Sequence, residues 1–195
     1  VYLHIMERVL ARDPEAQVLL LVPEINLTPQ LEGRVRLRFP GESVVTLNSD
    51  LADMERARSW LAVHEGRARV LVGTRMSVFS SFRKLSLVIV DEEHDQSFKA
   101  GDGLRYSARD LAVWRAHRNG IPVVLGSATP SIESWVKAQS GGYRLLELHQ
   151  RAVQNALLPA IELIEPPRRG SGEALSDEAC AAMSRCLEAG RQVLV

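Results

Sequence analysis

Residues Leu85–Gln96 read LSLVIVDEEHDQ, and the reading of this stretch decides the fold. Leu85, Leu87, Val88, Ile89 and Val90 form a short apolar run without alternation, the pattern of a strand buried on both faces of a parallel sheet. Asp91, Glu92, Glu93, His94 and Asp95 then follow without interruption. Carboxylates crowded at the end of a buried strand repel one another and lose hydration, so a cation or a reacting group nearby is needed to offset the cost. Open α/β sheets hold their ligands at this edge. The stretch therefore predicts a magnesium–nucleotide site, with a plain surface turn after a core strand as the alternative.

Working outward, the same unit of strand, polar loop and helix recurs. Val1–Arg12 is a predicted helix with Leu3, Met6 and Leu10 on one face, joined by Tyr2, Ile5 and Val9. Val18–Val22 is an apolar strand stopped by Pro23. Glu24, Asn26, Thr28 and Gln30 follow its carboxyl end, where Thr28-Pro29 fits the start of a short helix. Val44–Leu47 is a strand, and Asn48, Ser49 and Asp50 offer caps for a helix over 51–64. Val70–Val72 is a strand leading into Gly73-Thr74-Arg75. Gly73 permits close backbone approach, and Thr74 and Arg75 suit a ligand phosphate.

Downstream of the acidic run, 96–105 is a polar, glycine-bearing loop. Ser107 caps a helix over 107–117 with Asp110 three residues on, and Leu111 and Trp114 mark its apolar side. Val123–Leu125 is a strand followed by Gly126-Ser127-Ala128-Thr129-Pro130. There Thr129 is expected to cap a helix whose Ile132, Trp135 and Val136 face the core. Strands near 18, 44, 70, 87 and 123 imply an α/β fold with a mostly parallel sheet and helices on both faces. Beyond Gly141-Gly142 the texture changes. Short extended pieces are expected over 143–148 and 161–164, a Pro/Gly/Arg linker over 166–172, a helix over 175–189 capped by Ser176, and a strand from Gln192.

Composition bounds the rest. The chain has 195 residues, 46% of them hydrophobic, enough for an ordinary domain with a sizeable core. No apolar run approaches a membrane span, and Cys180 and Cys186 make neither a disulfide framework nor a zinc cluster. A reducing cytoplasm is the expectation. Lys plus Arg and Asp plus Glu are both 24, so net charge neither announces nor excludes nucleic acid. Arginine far outnumbers the three lysines, Lys84, Lys99 and Lys137, which favours fork-shaped recognition of carboxylate or phosphate where an arginine is engaged.

Asp91 and Glu92 are the candidate catalytic pair. An aspartate at such a strand end holds magnesium, commonly through water, and the next carboxylate orients or deprotonates an attacking water. Glu93 is expected to hold a neighbouring loop. His94 either hydrogen-bonds near Ser127 or Thr129 or merely packs. Ser127 and Thr129 either bond to the acidic run or cap a helix. Phe98, Lys99, Arg105, Tyr106 and Arg109 combine aromatic surface with charge, which suits single-stranded nucleic acid. No G-x-x-x-x-G-K-[ST] occurs, so the chain lacks a cradle for β- and γ-phosphates and is expected to turn over nucleotide poorly if at all.

DEEHDQSFKAGDGLRYSARDLAVWRA (Asp91–Ala116) with IPVVLGSATPSIESW (Ile121–Trp135) resembles the PriA family of primosomal replication-restart DNA helicases, in superfamily 2. LLLVPEINLTPQL and ARVLVGTRMSVFSSF fit the same family in order and spacing. The resemblance implies a RecA-like, P-loop NTPase fold, incomplete because the phosphate loop is missing. It implies that Asp91–His94 are helicase motif II, Gly126–Pro130 motif III, Pro23–Gln30 motif Ia, Gly73–Arg75 motif Ib, and Phe98–Arg109 the loop that couples DNA contact to hydrolysis. Candidate residues carried by it are Asp91, Glu92 and His94 for catalysis, with Asp91, Glu92, Glu93, Ser127 and Thr129 toward ATP and Mg²⁺. Glu24, Asn26, Thr28, Gln30, Thr74, Arg75, Phe98, Lys99, Arg105, Tyr106 and Arg109 are the candidates toward DNA.

The implied activity is ATP-dependent 3′–5′ unwinding at stalled or branched forks, in a bacterial cytoplasm near the nucleoid and with no membrane. Implied partners are single-stranded and forked DNA, primosome proteins, the replicative-helicase loading machinery and single-strand DNA-binding protein. The family's zinc module has no counterpart here. Asn48 and Asp50 stand where the family usually has His and Gly, and Phe98 where it commonly has Tyr. The expected organisation is a first motor lobe over 1–165 without its phosphate loop, then a linker, a helix and the start of a second lobe over 166–195. The other readings are a DNA- or partner-binding lobe without turnover, a metal-dependent hydrolase using Asp91, Glu92 and Asp95, and an inert folding fragment.

Overall fold

Alternate residues along the buried strands pack into two separate cores, which assigns the helices to two faces. The computed structural model describes residues 1–24, 29–149, 161–164 and 174–194. It forms two units, Val1–Leu145 and Leu146–Val195. In the first unit the order is α1 (Tyr2–Arg12), β1 (Gln17–Leu21), α2 (Pro29–Arg38), β2 (Val44–Leu47), α3 (Asp53–His64), β3 (Val70–Gly73), β4 (Leu85–Val90), α4 (Ala108–Asn119), β5 (Val123–Leu125) and α5 (Ile132–Gln139). The strands make one sheet, β2-β3-β1-β4-β5, and every pairing in it is parallel. This is the mostly parallel α/β sheet with helices on both faces that the strand spacing implies.

Leu19, Leu21, Leu71, Val88 and Val90 point to one face, where they pack with Ala62 and Val63 of α3 and with Ala108, Ala112 and Ala116 of α4. Val18, Leu20, Val70, Val72, Leu87 and Ile89 point to the other and pack with Met6 and Leu10 of α1 and Val35 of α2. The small alanine stripe, at helical spacing, lets α4 lie close on β4.

Two polar residues tie the amino-terminal edge of the sheet. Gln17 is fully buried; its Nε2 donates to Val63 O (2.8 Å) and Ala68 O (2.7 Å), and its Oε1 accepts from Lys84 N (2.9 Å). Arg69 donates to Leu10 O and Asp13 O at the end of α1, to Ala16 O and to the Glu42 carboxylate. It closes carbonyls that the helix leaves unpaired.

Several expectations need correction. The short helix after Pro29 runs ten residues and absorbs Arg34–Arg38. Asn48 does not cap α3: its Oδ1 accepts from Asp50 N and Leu51 N, an Asx turn two residues ahead of the helix. Trp114 lies on the outer side of α4, 61% exposed under Arg118, because the alanines take the core side. Ser131, not Thr129, caps α5, and Ile132, Trp135 and Val136 are exposed. The inner contacts of α5 are polar ones made by Ser131 and Ser134. In the second unit α6 (Asp177–Glu188) is capped by Ser176, while 161–164 and 191–194 form no strand. The expected pieces over 143–148 form none either, and the expected linker lies outside the described residues.

Gln17→Leu removes three side-chain hydrogen bonds and deprives Ala68 O and Lys84 N of their Gln17 partner, while Val63 O keeps Gly66 N. It is expected to lower stability by roughly 2–4 kcal/mol, measured as a shift of the urea unfolding midpoint, whereas Lys84→Ala at the surface shifts it little.

Candidate nucleotide and nucleic-acid site

The acidic run forms a tight turn laced into the neighbouring strand ends. Asp91 N donates to Leu21 O (2.9 Å), Gly126 N to Val90 O (2.9 Å) and Glu93 N to Gly126 O (3.0 Å). These bonds bring the carboxyl ends of β1, β4 and β5 together. Glu92 has φ 47°, the left-handed region, alone among the described non-glycine residues. Such strain persists where surrounding bonds over-determine it, and it clusters at functional sites.

Two contacts set the turn against its surroundings. Tyr2, on the first turn of α1, lays its hydroxyl on Gly126: a Cβ there would stand 1.6 Å from the phenol oxygen. Burial, together with the neighbouring Asp91 carboxylate and the charge of Glu92, pushes the phenol well above its usual range. The sequence reading placed Tyr2 only on an apolar helix face. An aromatic with a polar tip at the first turn of a helix was the signal available. On the other side, His94 Nδ1 is 2.7 Å from Ser127 Oγ, its Nε2 3.4 Å from Thr129 Oγ1, and Thr129 N donates to Ser127 Oγ. His94 Nδ1 is also 3.6 Å from Glu92 Oε2. The structure thus joins His94, Ser127, Thr129 and Glu92 in one polar chain.

The donor set fits a cation delivered with a nucleotide. Among the described residues, no three His, Cys, Asp or Glu side chains stand together as a metal cage. Magnesium needs none, since it is commonly held by one or two carboxylates, substrate phosphates and water. Asp91 is half-buried at the strand end. Asp95 is committed elsewhere: its Oδ1 accepts from Ser97 N and caps a 3-10 turn over Gln96–Phe98. That geometry disfavours the three-carboxylate hydrolase.

Glu93 is not a ligand-facing group. Its side chain is 2% exposed and accepts from Ser131 N (2.6 Å), Ser131 Oγ (3.0 Å), Ser134 Oγ (2.8 Å) and Arg109 NH1 (3.2 Å). Arg109, 8% exposed, also donates to Ser131 Oγ and Asp110 Oδ1. Arg109 is therefore not on the surface to meet DNA, and neither is Phe98, which is 1% exposed in the core. Both were missed as interior residues because an aromatic in a polar loop, like Phe98, and a charge in the first turn of a helix, like Arg109, look like surface.

The rest of the expected DNA set divides. Glu24, which accepts from Ser49 Oγ, and Gln30 are exposed. Asn26 and Thr28 lie outside the described residues. Thr74 is buried. Arg75 NH1 donates to Lys99 O (3.0 Å) and Ser97 O (3.3 Å), clamping the root of the 96–107 loop. A bridge between Lys99 and Ser107, with Ala100 N donating to Tyr106 O, makes that loop a hairpin. Lys99 and Arg105 are exposed on it. Tyr106 meets Phe79 edge-on at 4.9 Å and Met76 Sδ at 3.0 Å, and both of these partners are largely exposed. Met76 and Phe79 were overlooked because a single apolar residue in a turn is usually core.

For Glu93, burial raises the carboxyl, but the Ser131 amide, the two serine hydroxyls and Arg109 outweigh it and hold the pKa below its usual value. A depressed folded value means stability that is present above the unfolded carboxylate range and is lost as pH falls through the folded one. Urea midpoints are therefore expected to hold from pH 7 to 5 and to fall below about pH 4, with Glu93→Gln giving a lower but flatter profile.

Residues 1–137 match the DEAD/DEAH box helicase family. The replication restart protein PriA of Bacillus subtilis is 39% identical over 198 residues, covering 100% of this chain and 24% of that protein. That of Haemophilus influenzae is 40% identical over 195 residues, covering 100% and 26%. The chain thus spans about a quarter of the length of the curated relatives it matches. Among solved structures, the DUF1998 helicase MrfA bound to DNA is similar, with 16% identity, 70% of this chain and 21% of that one covered, and a TM-score of 0.49. With its DEEH turn bonded to a GSAT turn at the edge of a parallel sheet, the chain belongs to the DEAD/DEAH box helicase family and is homologous to the PriA replication-restart proteins.

Proposed function

We propose that residues 1–165 are the first motor lobe, and 166–195 the start of the second, of an ATP-dependent 3′–5′ DNA helicase that acts at stalled or branched replication forks and promotes primosome assembly. The observation that carries this reading is the polar chain from Glu92 through His94 to Ser127 and Thr129. It links the candidate hydrolytic carboxylate to a second turn that can shift with nucleotide state. Asp91 would hold Mg²⁺ through water, and bound magnesium would neutralise charge on the phosphates of ATP. Glu92 orients and deprotonates the attacking water. The strained Glu92 backbone and the bond from Asp91 N to Leu21 O hold the pair in place. The chain has no phosphate-cradling lysine loop, so that cradle has to come from outside residues 1–195.

DNA is read here as single strand running over the hairpin, with bases on Tyr106, Phe79 and Met76 and phosphates at Lys99 and Arg105. Forked DNA, primosome proteins, the replicative-helicase loading machinery and single-strand DNA-binding protein are the partners this role entails. A bacterial cytoplasm, near the nucleoid, is the matching location. No helix among the described residues is long and apolar enough to cross a membrane. A second reading, a DNA-binding lobe without turnover, is favoured by the missing lysine loop.

Two experiments separate them. In the chain itself, Lys99→Glu with Arg105→Glu is expected to weaken single-strand binding by about tenfold or more and to flatten its salt dependence, read by fluorescence anisotropy. The chain is also grafted into the Bacillus subtilis relative in place of the segment it matches. DNA-stimulated ATP turnover is expected there, and Glu92→Gln should reduce it by about a hundredfold or more. Binding without turnover in the graft would leave the binding-lobe reading standing.

A further inference from the structure

We propose that the outer face of α1 and α2 is a second nucleic-acid contact, an arginine surface that holds the phosphate backbone of duplex DNA apart from the single-strand path over the hairpin. It rests on the reading above only in naming a fork as the source of that duplex.

The charge on these two helices is one-sided. Tyr2–Arg12 and Pro29–Arg38 carry five arginines, Arg8, Arg12, Arg34, Arg36 and Arg38, against two carboxylates, Glu7 and Glu32. The surplus is three positive charges in a chain whose net charge is zero. All five arginines are exposed. Both carboxylates are already engaged. Arg36 NH2 donates to Glu32 Oε1 (2.7 Å), and Arg38 reaches from α2 to Glu7 on α1, where His4 Nδ1 stands 3.6 Å away. Arg8, Arg12 and Arg34 have no hydrogen-bond or ion-pair partner among the described residues. The Arg38–Glu7 contact joins the helices into one surface, and Met6, Leu10 and Val35 seat both on the same face of the sheet.

A helix dipole favours cations in a last turn, which covers Arg12, Arg36 and Arg38. It does not cover Arg8 and Arg34. Arg8 stands one helical turn before Arg12, and Arg34 one turn before Arg38. Each helix therefore shows two guanidinium groups on one side, about 6 Å apart along its axis. That spacing is of the order of the step between successive phosphates, and the arginine fork matches phosphate oxygens.

What the face lacks selects the partner. Single strands are held by aromatic side chains as well as by charge. The aromatics nearby are Tyr2, half-buried at the first turn of α1, and Phe39, which is buried. Leu37, 83% exposed, protrudes and offers a peptide no apolar pocket. A regular backbone whose bases are paired away is the ligand that charge alone can hold. Phe98 and Tyr106, which root the hairpin, belong to the core on the other face of the sheet, so the two contacts are separate.

The test is fluorescence anisotropy of this chain, over a range of salt, with a blunt duplex of about 20 base pairs and with a deoxythymidine strand of about 20 nucleotides. Arg8→Glu with Arg34→Glu is expected to weaken duplex binding by about tenfold or more, and the milder Arg8→Gln with Arg34→Gln to lower the log–log salt slope by about two. Neither side chain makes a bond in the protein, so melting temperature is expected to hold in both variants. The affinity for the deoxythymidine strand should change by less than about twofold. Lys99→Glu with Arg105→Glu should show the inverse pattern, losing the single strand and keeping the duplex. Unchanged duplex affinity in the glutamate variant, an equal loss for the deoxythymidine strand, or an unsubstituted chain without duplex binding overturns the proposal. So does a polyglutamate peptide that binds more tightly than the duplex and is lost in the same variants, which marks a site for an acidic protein. A hairpin variant that keeps the deoxythymidine strand, beside an arginine variant that loses the duplex, removes the single-strand reading above and supports this one.

Discussion

The parallel pairing of β4 between β1 and β5 is the constraint on which the rest depends. It sets Leu21, Val90 and Leu125 in register at one edge. The hydrogen bonds that continue each ladder past its last residue, Asp91 N to Leu21 O and Gly126 N to Val90 O, then belong to the site and not to the core. The acidic turn is in effect the frayed end of a strand that both neighbours refuse to release. The apolar residues that anchor it are fully buried on both faces. At ~1.5–3 kcal/mol for each large apolar side chain buried, a few of them outweigh the strain of a left-handed Glu92, of order 1–3 kcal/mol. The core holds a conformation that the turn would not adopt alone.

That balance accounts for which parts of the molecule were legible in the sequence. Strands buried on both faces leave unbroken apolar runs, and the runs at 18–22, 70–72 and 87–90 correspond to β1, β3 and β4. Turn chemistry at Gly73 was equally plain, since a Cβ there would meet Ser77 Oγ at 1.9 Å and Leu47 O at 2.9 Å. Helix faces were less legible. Trp114 and Trp135 are the large apolar residues of α4 and α5, and hydrophobicity alone put them inside. The close approach of α4 to the sheet instead selects alanine, and α5 packs through serines onto a carboxylate. Periodicity finds a face, but residue size and polar pairing decide which face is inner.

The site shows the same division. Asp91, Glu92 and His94 were singled out because carboxylates crowded at a strand end are costly unless a cation or a reacting group offsets them, and the structure joins Glu92 and Ser127 through His94. Arg109 and Phe98 were misjudged for one reason: burial of a charge or of a loop aromatic depends on partners distant in sequence, whereas Glu93, expected to hold a neighbouring loop, does hold one. Glu93 finds Ser131 and Ser134 about forty residues on, and Arg109 finds Glu93 sixteen back. No local pattern encodes such pairs. Tyr2 escaped notice for the converse reason, because its partners Asp91 and Gly126 are brought to it only by the sheet order.

The placement of charge follows from what each carboxylate can borrow. Glu93 borrows everything from the protein: an amide, two hydroxyls and a guanidinium keep it ionised in the interior. Asp91 has a phenol and a backbone turn but no cation among the described residues, and a single carboxylate does not strip magnesium of its water. Glu92 has a weaker contact still, with a histidine that is itself bonded to Ser127. The three adjacent carboxylates thus form a gradient from saturated to unsatisfied, running from the interior outward. The saturated one can hold segments together whatever is bound. The other two stay half-buried with bonding capacity to spare, and so a saturated structural anchor and two less saturated carboxylates share three consecutive residues.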